Sequence, residues 1–205
     1  MFFSGKAGSG KSHVIKTILA FLRMFCNKCD IPFDSDIVKV TAYTGVAAAQ
    51  FKIPGATTIH KAAHLNSKSP KRQSSDWVNT IIIFIDEISF MSTPTCEKLD
   101  RRLRIQTGKM DKLFGEIHII FAGDFFQIPP VCEESKALYN GYCLQWNSLT
   151  AVIILENNHR FLKDPDYGLL LEIIAKGEET EKNFKLINSG VVTKSDNAIN
   201  DLIDP

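Results

Sequence analysis

The chain has 205 residues, 44% of them hydrophobic and 23% charged, a balance that allows a substantial core and excludes a disordered or fibrous chain. Its formal charge of +1 excludes a global basic field, so any nucleic-acid surface must be local. Five cysteines, an odd number without a disulfide framework, fit a reducing compartment, and no apolar run approaches the roughly 20 residues of a membrane span. Met1-Phe2-Phe3 is too short for a signal-peptide core, so the expected location is intracellular with no membrane partner.

In chain order, an apolar stub leads into G-K-A-G-S-G-K-S from Gly5, a full match to G-x-x-x-x-G-K-[ST]. Gly5, Ala7, Gly8, Ser9 and Gly10 let backbone N–H groups wrap phosphates, and the helix that follows points its positive end at them. Lys11 is expected to reach the β- and γ-phosphates of a nucleotide and Ser12 to hold magnesium through its hydroxyl. Val14, Ile15, Ile18, Leu19, Leu22 and Phe25 then recur at helical spacing and predict one apolar stripe. Cys26-x-x-Cys29 has no second pair at zinc-ribbon spacing and reads as plain thiols near that helix's end.

Short β-branched runs begin at Val38, Thr80, Ile117 and Val152, and their lack of alternation predicts strands buried on both faces. With helices between them, these runs predict a doubly wound α/β domain. T-A-Y-T-G-V-A-A-A-Q-F from Thr41 and G-A-T-T-I-H-K from Gly55 offer small residues and hydroxyls after a strand. They fit either a groove for a nucleic-acid backbone, with Thr44, Thr58 and His60 donating to phosphates, or simple close packing. The polar stretch from Ser67 reads as a surface loop.

I-I-I-F-I-D-E-I-S ends a hydrophobic strand in two acids. Asp86 there would orient magnesium, and Glu87 could act as general base on the attacking water. Leu99 and Leu103, four apart among charges, predict a half-exposed helix. F-A-G-D-F-F-Q-I-P-P-V delivers Asp124 and the neutral amide of Gln127 to a γ-phosphate or a water, unless the turn is merely aromatic packing. L-E-N-N-H-R follows the last strand and offers Arg160 to charge developing on a transferred phosphoryl group, with His159 expected to pack or cap. A helix from Leu169 should end at Gly177.

These segments in this order resemble the Pif (petite-integration-frequency) family of DNA helicases and its transposon-borne Helitron relatives. The likeness runs through GKAGSGKS, TAYTGVAA, GATTIH, FIDEIS, AGDFFQIPP and LENNHR into DPDYGLLLEIIAKGEET, about residues 1 to 190. It implies a RecA-like P-loop NTPase fold, α/β with a mostly parallel sheet and helices on both faces. It also implies a motor that uses ATP and Mg2+ to move 5′ to 3′ on single-stranded DNA and unwind duplex DNA in repair, recombination or telomere maintenance, in the nucleus or mitochondrion of a eukaryote. By the same resemblance Lys11, Glu87, Gln127 and Arg160 are catalytic, Ser12 and Asp86 hold the metal, and Gln127 couples the γ-phosphate to movement. The segments bearing Thr44, Thr58 and His60 would lie along the DNA.

Family members carry a glutamine-containing, adenine-contacting segment before the loop and a second RecA-like domain with a second arginine. Neither is found between Met1 and Pro205. The expectation is therefore a first motor domain over residues 1–160, with 161–205 a helical continuation at the start of a missing second domain. The alternative is an inactive remnant that binds nucleotide or DNA. A P-loop small-molecule kinase is disfavoured, since it leaves Gln127 and the Pro129-Pro130 pair unexplained.

Overall fold

The structure, a computed structural model, describes residues 1–34, 36–67, 75–131, 136–157, 159–178 and 180–189. Lys68, Lys71 and Arg72 of the polar loop, Cys132 and the polar tail from residue 190 lie outside the described residues. The chain forms two compact units, Met1–Arg160 and Phe161–Pro205.

In the first unit, β1 (Phe2–Gly5), β2 (Val38–Ala42), β3 (Thr57–Thr58), β4 (Ile82–Asp86), β5 (His118–Gly123) and β6 (Val152–Leu155) form one sheet in the order β3-β2-β4-β5-β1-β6. Every pairing is parallel. Crossovers include α1 (Lys11–Lys28), α2 (Gly45–Gln50), α3 (Ile59–Ala62), α4 (Ser75–Val78), α5 (Thr93–Thr107) and α6 (Leu144–Asn147). Alternate residues of each central strand face opposite ways, so the sheet seeds two cores. Phe3, Val38, Val40, Ala42, Phe84 and Ala122 pack with Ile15 and Leu19 of α1 and with Ala47 and Ala48 of α2. Phe2, Ile83, Ile85, Ile119 and Phe121 pack on the other face with Leu99 and Leu103 of α5 and with Trp77. Helices thus cover both faces, the layered α/β architecture that the buried β-branched runs require.

Three details depart from the periodicity. Phe25, expected on the core stripe of α1, is 49% exposed and stacks on Phe21, while Cys26 is buried. Cys26 lies about three whole turns beyond Ile15, and Phe25 is rotated roughly 100° away from that line. β6, expected to be buried on both faces, is an edge strand with Val152, Ile153 and Ile154 all exposed, because only β1 pairs with it. β3 is two residues long, too brief for any periodic signal.

α5 is half-exposed as expected, with Cys96, Leu99 and Leu103 buried and Glu97 and Arg101 in solvent. Asp100 on its buried face ties α5 to two distant segments. Its carboxylate accepts from the Phe114 amide at 2.5 Å, from Arg104 Nε at 2.9 Å and from Gln145 Nε2 at 2.9 Å. Phe114 and Gly115 both take left-handed backbone there, and a Cβ on Gly115 would lie 2.8 Å from the Leu103 carbonyl oxygen.

In the second unit, α7 (Pro165–Lys176) is capped by Asp164, whose carboxylate accepts from Tyr167 N at 3.1 Å. It stops at Gly177 with φ of 67°, as its sequence predicts. α8 (Glu181–Ser189) follows. Among the described residues no helix is long and apolar enough to cross a membrane.

Candidate active site

In a parallel sheet every strand delivers its last residue to the same edge, where ligands of such folds bind. Read across the strand order, that edge carries Thr58 after β3 begins to turn, Thr44 after β2, Asp86 and Glu87 at β4, Asp124 and Gln127 after β5, the Gly5–Ser12 loop at β1, and His159 and Arg160 after β6. Residues from six separate stretches of sequence are gathered into one row.

The loop is built for a phosphate. Gly8 and Gly10 have φ of 84° and 93°, which only glycine takes without strain, and Gly10 opens the 18 residues of α1. A Cβ on Gly5 would collide with Ser9 Oγ and sit 2.9 Å from the Leu155 carbonyl oxygen, so that position must also be glycine. Ala7 lies in the turn between these glycines, closed by Ser9 N donating to Lys6 O at 3.0 Å. Lys11 is 8% exposed and its ammonium donates to Gly5 O at 2.6 Å and Lys6 O at 3.1 Å, so the charge is held inside the loop. Burial pulls its pKa down, opposed by the carboxylates of Asp124, Asp86 and Glu87 and aided by the Arg160 charge.

Ser12 Oγ donates to Asp86 Oδ2 at 3.3 Å, and Asp86 Oδ1 accepts from the Glu87 amide at 2.9 Å. A hydroxyl beside a buried carboxylate is an oxygen donor set that suits a hard divalent cation with part of its water shell retained. Burial raises the Asp86 pKa, and the Glu87 amide, Lys11 and Ser12 each oppose that rise. Glu87 sits in left-handed backbone at φ 57°, an uncommon conformation for a non-glycine residue, and its Oε2 is buried without a hydrogen bond. Burial first, and then the Asp86 charge, push its carboxyl above the ordinary glutamate range. Ser9 Oγ is likewise buried and unpartnered. Such unmet polar atoms beside a phosphate loop are what a bound nucleotide, metal or water would satisfy.

Sequence reasoning placed Asp124 and Gln127 near the nucleotide but not their relation. Asp124, buried, accepts from the Phe126 amide at 3.0 Å and from Gln127 Nε2 at 3.1 Å, so it fixes the amide that follows it. The aromatic turn packs as well: Phe125 lies against Phe2, Tyr139 and Trp146. On the far side of the loop the backbone N–H of His159 donates to Gly8 O at 2.9 Å, and the residue itself is exposed. The Arg160 charge acts on both Lys11 and Glu87. A cavity of about 670 Å³ opens beside Ser9, Gly10 and His13 and is bounded by Glu156, Asn157 and His159. No sequence signal marked it, because α1 and β6 line it together. A larger cavity of about 820 Å³ along the β2 edge includes none of the predicted site residues.

The β2–β3 end is of another kind. Thr44 caps α2 by accepting from Ala47 N at 3.2 Å, and Thr58 caps α3 by accepting from Lys61 N at 3.3 Å. Each hydroxyl accepts there and still carries a proton with which it can donate. His60 meets Tyr43 edge-on at 4.7 Å, and Tyr43 stacks on Phe90 at 6.0 Å. Burial and then the Lys98 charge lower the His60 pKa, which favours the neutral ring.

Comparison with known proteins agrees with this geometry. Residues 1–168 match the PIF1-like helicase family. ATP-dependent DNA helicase PIF1 of Emericella nidulans is 31% identical over 193 residues, spanning 87% of this chain and 25% of the relative. PIF1 of Xenopus laevis is 32% identical over 195 residues, with 90% and 26% covered. Among solved structures, the Pif1 helicase of Candida albicans superposes with a TM-score of 0.74 at 26% identity, covering 89% of this chain and 42% of that one. A Bacteroides Pif1 bound to single-stranded DNA shares the fold at a TM-score of 0.68. The chain therefore spans about a quarter of the length of these curated relatives and under half of the solved chains. With four of its six strand ends carrying the nucleotide-site segments, on a RecA-like sheet shared with these helicases, the chain belongs to the PIF1-like helicase family.

Proposed function

We propose that residues 1–160 are the first motor domain of an ATP-dependent DNA helicase that moves 5′ to 3′, and that 161–205 lead toward a second RecA-like domain. The observation that carries the reading is the contact of Ser12 with Asp86 next to a buried, unpartnered Glu87 oxygen. Lys11 and the loop amides bind the nucleotide phosphates, and the cavity beside Gly10 and His13 takes the base. Ser12 and Asp86 would hold magnesium, which when bound draws charge from the γ-phosphate. Glu87 takes the proton from the attacking water, and its burial makes it a stronger base than a solvated glutamate. Asp124 orients Gln127 toward the γ-phosphate, and Arg160 faces the charge that develops there. Thr44, Thr58 and the neutral His60 contact the backbone of single-stranded DNA. The relatives are named ATP-dependent DNA helicases, which supports action on DNA; the proposal extends to a role in repair, recombination or telomere maintenance, in the nucleus or mitochondrion of a eukaryote.

ATP hydrolysis by this chain, with and without single-stranded DNA and with Lys11→Ala as the blank, tests the reading. DNA-stimulated turnover above the blank supports it. Tight nucleotide binding with no turnover, even when a relative's second motor domain is supplied, would make the chain a binding remnant instead.

A further inference from the structure

β3 is short because of what flanks it. Ahead of it the chain turns over residues 53–56, where Ala56 N donates to Ile53 O at 3.1 Å and Gly55 takes φ of 82°; behind it Thr58 at once caps α3. β3 therefore pairs only with Thr41 and Ala42, the end of β2. Residues 38–40 of β2 lie at the sheet's edge with no strand beside them among the described residues.

The ladder on the other side fixes which backbone groups face that gap. Ile37 O accepts from Ile81 N at 2.9 Å and Tyr43 N donates to Asp86 O at 2.9 Å, so odd-numbered residues here turn their backbone groups to β4 and even-numbered ones turn outward. Val38 N donates to Asp34 O at 3.1 Å, which leaves the Val38 carbonyl and the Val40 N–H directed into the gap. An acceptor and a donor two residues apart are what one residue of an added parallel strand bridges. There is also room for it. The cavity of about 820 Å³ is lined by Leu19, Phe51 and Ile53 from the α1 side of the sheet and by Ala62 and Trp77 from the other. A hollow in one face would be lined from that face alone, so this volume lies where a further strand would run.

Strand alternation then sets the pattern of the occupant. Val38 and Val40 pack with Leu19 and Phe51, whereas Lys39 Nζ lies over the Trp77 ring on the opposite face, 5.1 Å from its centroid. A bridging residue beside Lys39 shares the Lys39 face, and the residues before and after it share the apolar face. Lys16, Arg23, Lys39 and Lys61 line the cavity against Asp34 and Asp36, and the Asp34 carboxylate already accepts from the Asp36 and Ile37 amides at 2.8 and 3.1 Å. The complementary segment is apolar, acidic, apolar, with further acids at its ends.

We propose that the outer edge of β2 is a docking site for a partner protein, which adds an extended acidic segment of this pattern as a parallel strand. Main-chain hydrogen bonds hold the segment, its apolar side chains fill the α1 side, and the cations select its charge. A nucleic-acid strand fits less well. Its sugar-phosphate backbone has no N–H for the Val38 carbonyl, and Trp77, the largest ring in the lining, is buried and closed to a stacking base.

The probe is an end-blocked, fluorescein-labelled hexapeptide, Ser-Asp-Val-Glu-Val-Asp, titrated into the full chain and followed by anisotropy and amide NMR spectra. Saturation is expected below about 1 mM, with the Val40 amide proton moving downfield and the largest shifts at residues 38–40. The same peptide N-methylated at its glutamate lacks the donor for the Val38 carbonyl and should bind at least about tenfold more weakly, with the protein itself unaltered. Lys61→Glu, at an exposed side chain, should weaken the unmodified peptide several-fold. Lys11→Ala should leave peptide affinity unchanged, which separates this site from the nucleotide reading. No saturation at about 1 mM, equal binding of the N-methylated peptide, shifts confined to other residues, or displacement of the peptide by oligothymidylate would each overturn the proposal.

Discussion

The two ends of the sheet's ligand-binding edge solve opposite problems. From β4 to β6 the edge is charged and desolvated: Lys11, Asp86 and Asp124 are buried, and Glu87 keeps an oxygen without a partner. At β2 and β3 the groups on offer are uncharged: threonine hydroxyls cap two short helices and His60 packs against Tyr43. Buried charge concentrates binding energy on a small polyanion at a cost to the empty fold. Uncharged donors on short helices grip a long backbone weakly and can let go, as a moving track requires. Charge should therefore dominate the effects of mutation at one end, and caps and hydroxyls at the other.

The largest expected effect is that of Lys11→Ala. The Lys11 ammonium is held by the Gly5 and Lys6 carbonyls and surrounded by three carboxylates, so its removal leaves a site of net negative charge facing a polyphosphate. Nucleotide binding should fall below detection in a calorimetric titration while circular dichroism stays unchanged. Retained affinity would mean the charged end is not the nucleotide end.

Glu87→Gln should sharpen the contrast by separating chemistry from stability. With Glu87 as the proposed general base, its loss should lower the rate by about 10²- to 10⁴-fold with nucleotide affinity kept. The folded-state pKa is raised, so the native protein holds this proton more tightly than the unfolded chain. Stability then falls as pH rises from the ordinary glutamate range through the folded pKa. Gln removes that cost, and the melting temperature at pH 7 should rise by about 1–3 °C, a small gain because water screens the half-buried side chain. Near the ordinary value, at about pH 4, the gain should vanish. A lowered melting temperature at pH 7 would show that Glu87 is not held under strain.

Asp124→Asn is expected to cost less. It keeps the shape and the acceptor for the Phe126 amide but weakens the grip on Gln127 Nε2 and removes one of the carboxylates near Lys11. Turnover should fall by about tenfold, with affinity for single-stranded DNA unaltered in a fluorescence titration. Equal losses in both assays would erase the division between the two ends.

Most of the charged end is legible in the sequence because each part is local. Glycine spacing, an acid pair after a β-branched run, and a glutamine three residues beyond Asp124 each announce themselves within one stretch. What stays hidden depends on distance along the chain. Asp100 and Gln145 meet across 45 residues, and the cavity beside Gly10 needs α1 and β6 together. β3 is invisible for another reason: with two residues it has no period, and only its pairing of Thr57 and Thr58 with Thr41 and Ala42 makes it a strand. Phe25 misleads because hydrophobicity alone cannot separate it from Cys26, which the helical rotation turns inward.

The smallest expected effect belongs to the neutral end. Thr44 Oγ1 accepts from Ala47 N, and Thr44→Ala should cost about 1 kcal/mol of stability through the lost cap. The same change removes an outward hydroxyl proton, so single-stranded DNA should bind about tenfold more weakly if that proton reaches a phosphate. Thr44→Ser separates the two, since serine caps as well as threonine and keeps the donor. If Ser restores both stability and DNA affinity while nucleotide affinity never changes, the hydroxyl is a DNA contact. If Ala destabilises the fold but leaves DNA affinity intact, Thr44 is only a cap, and the track at this end must be held by backbone amides of the short helices instead.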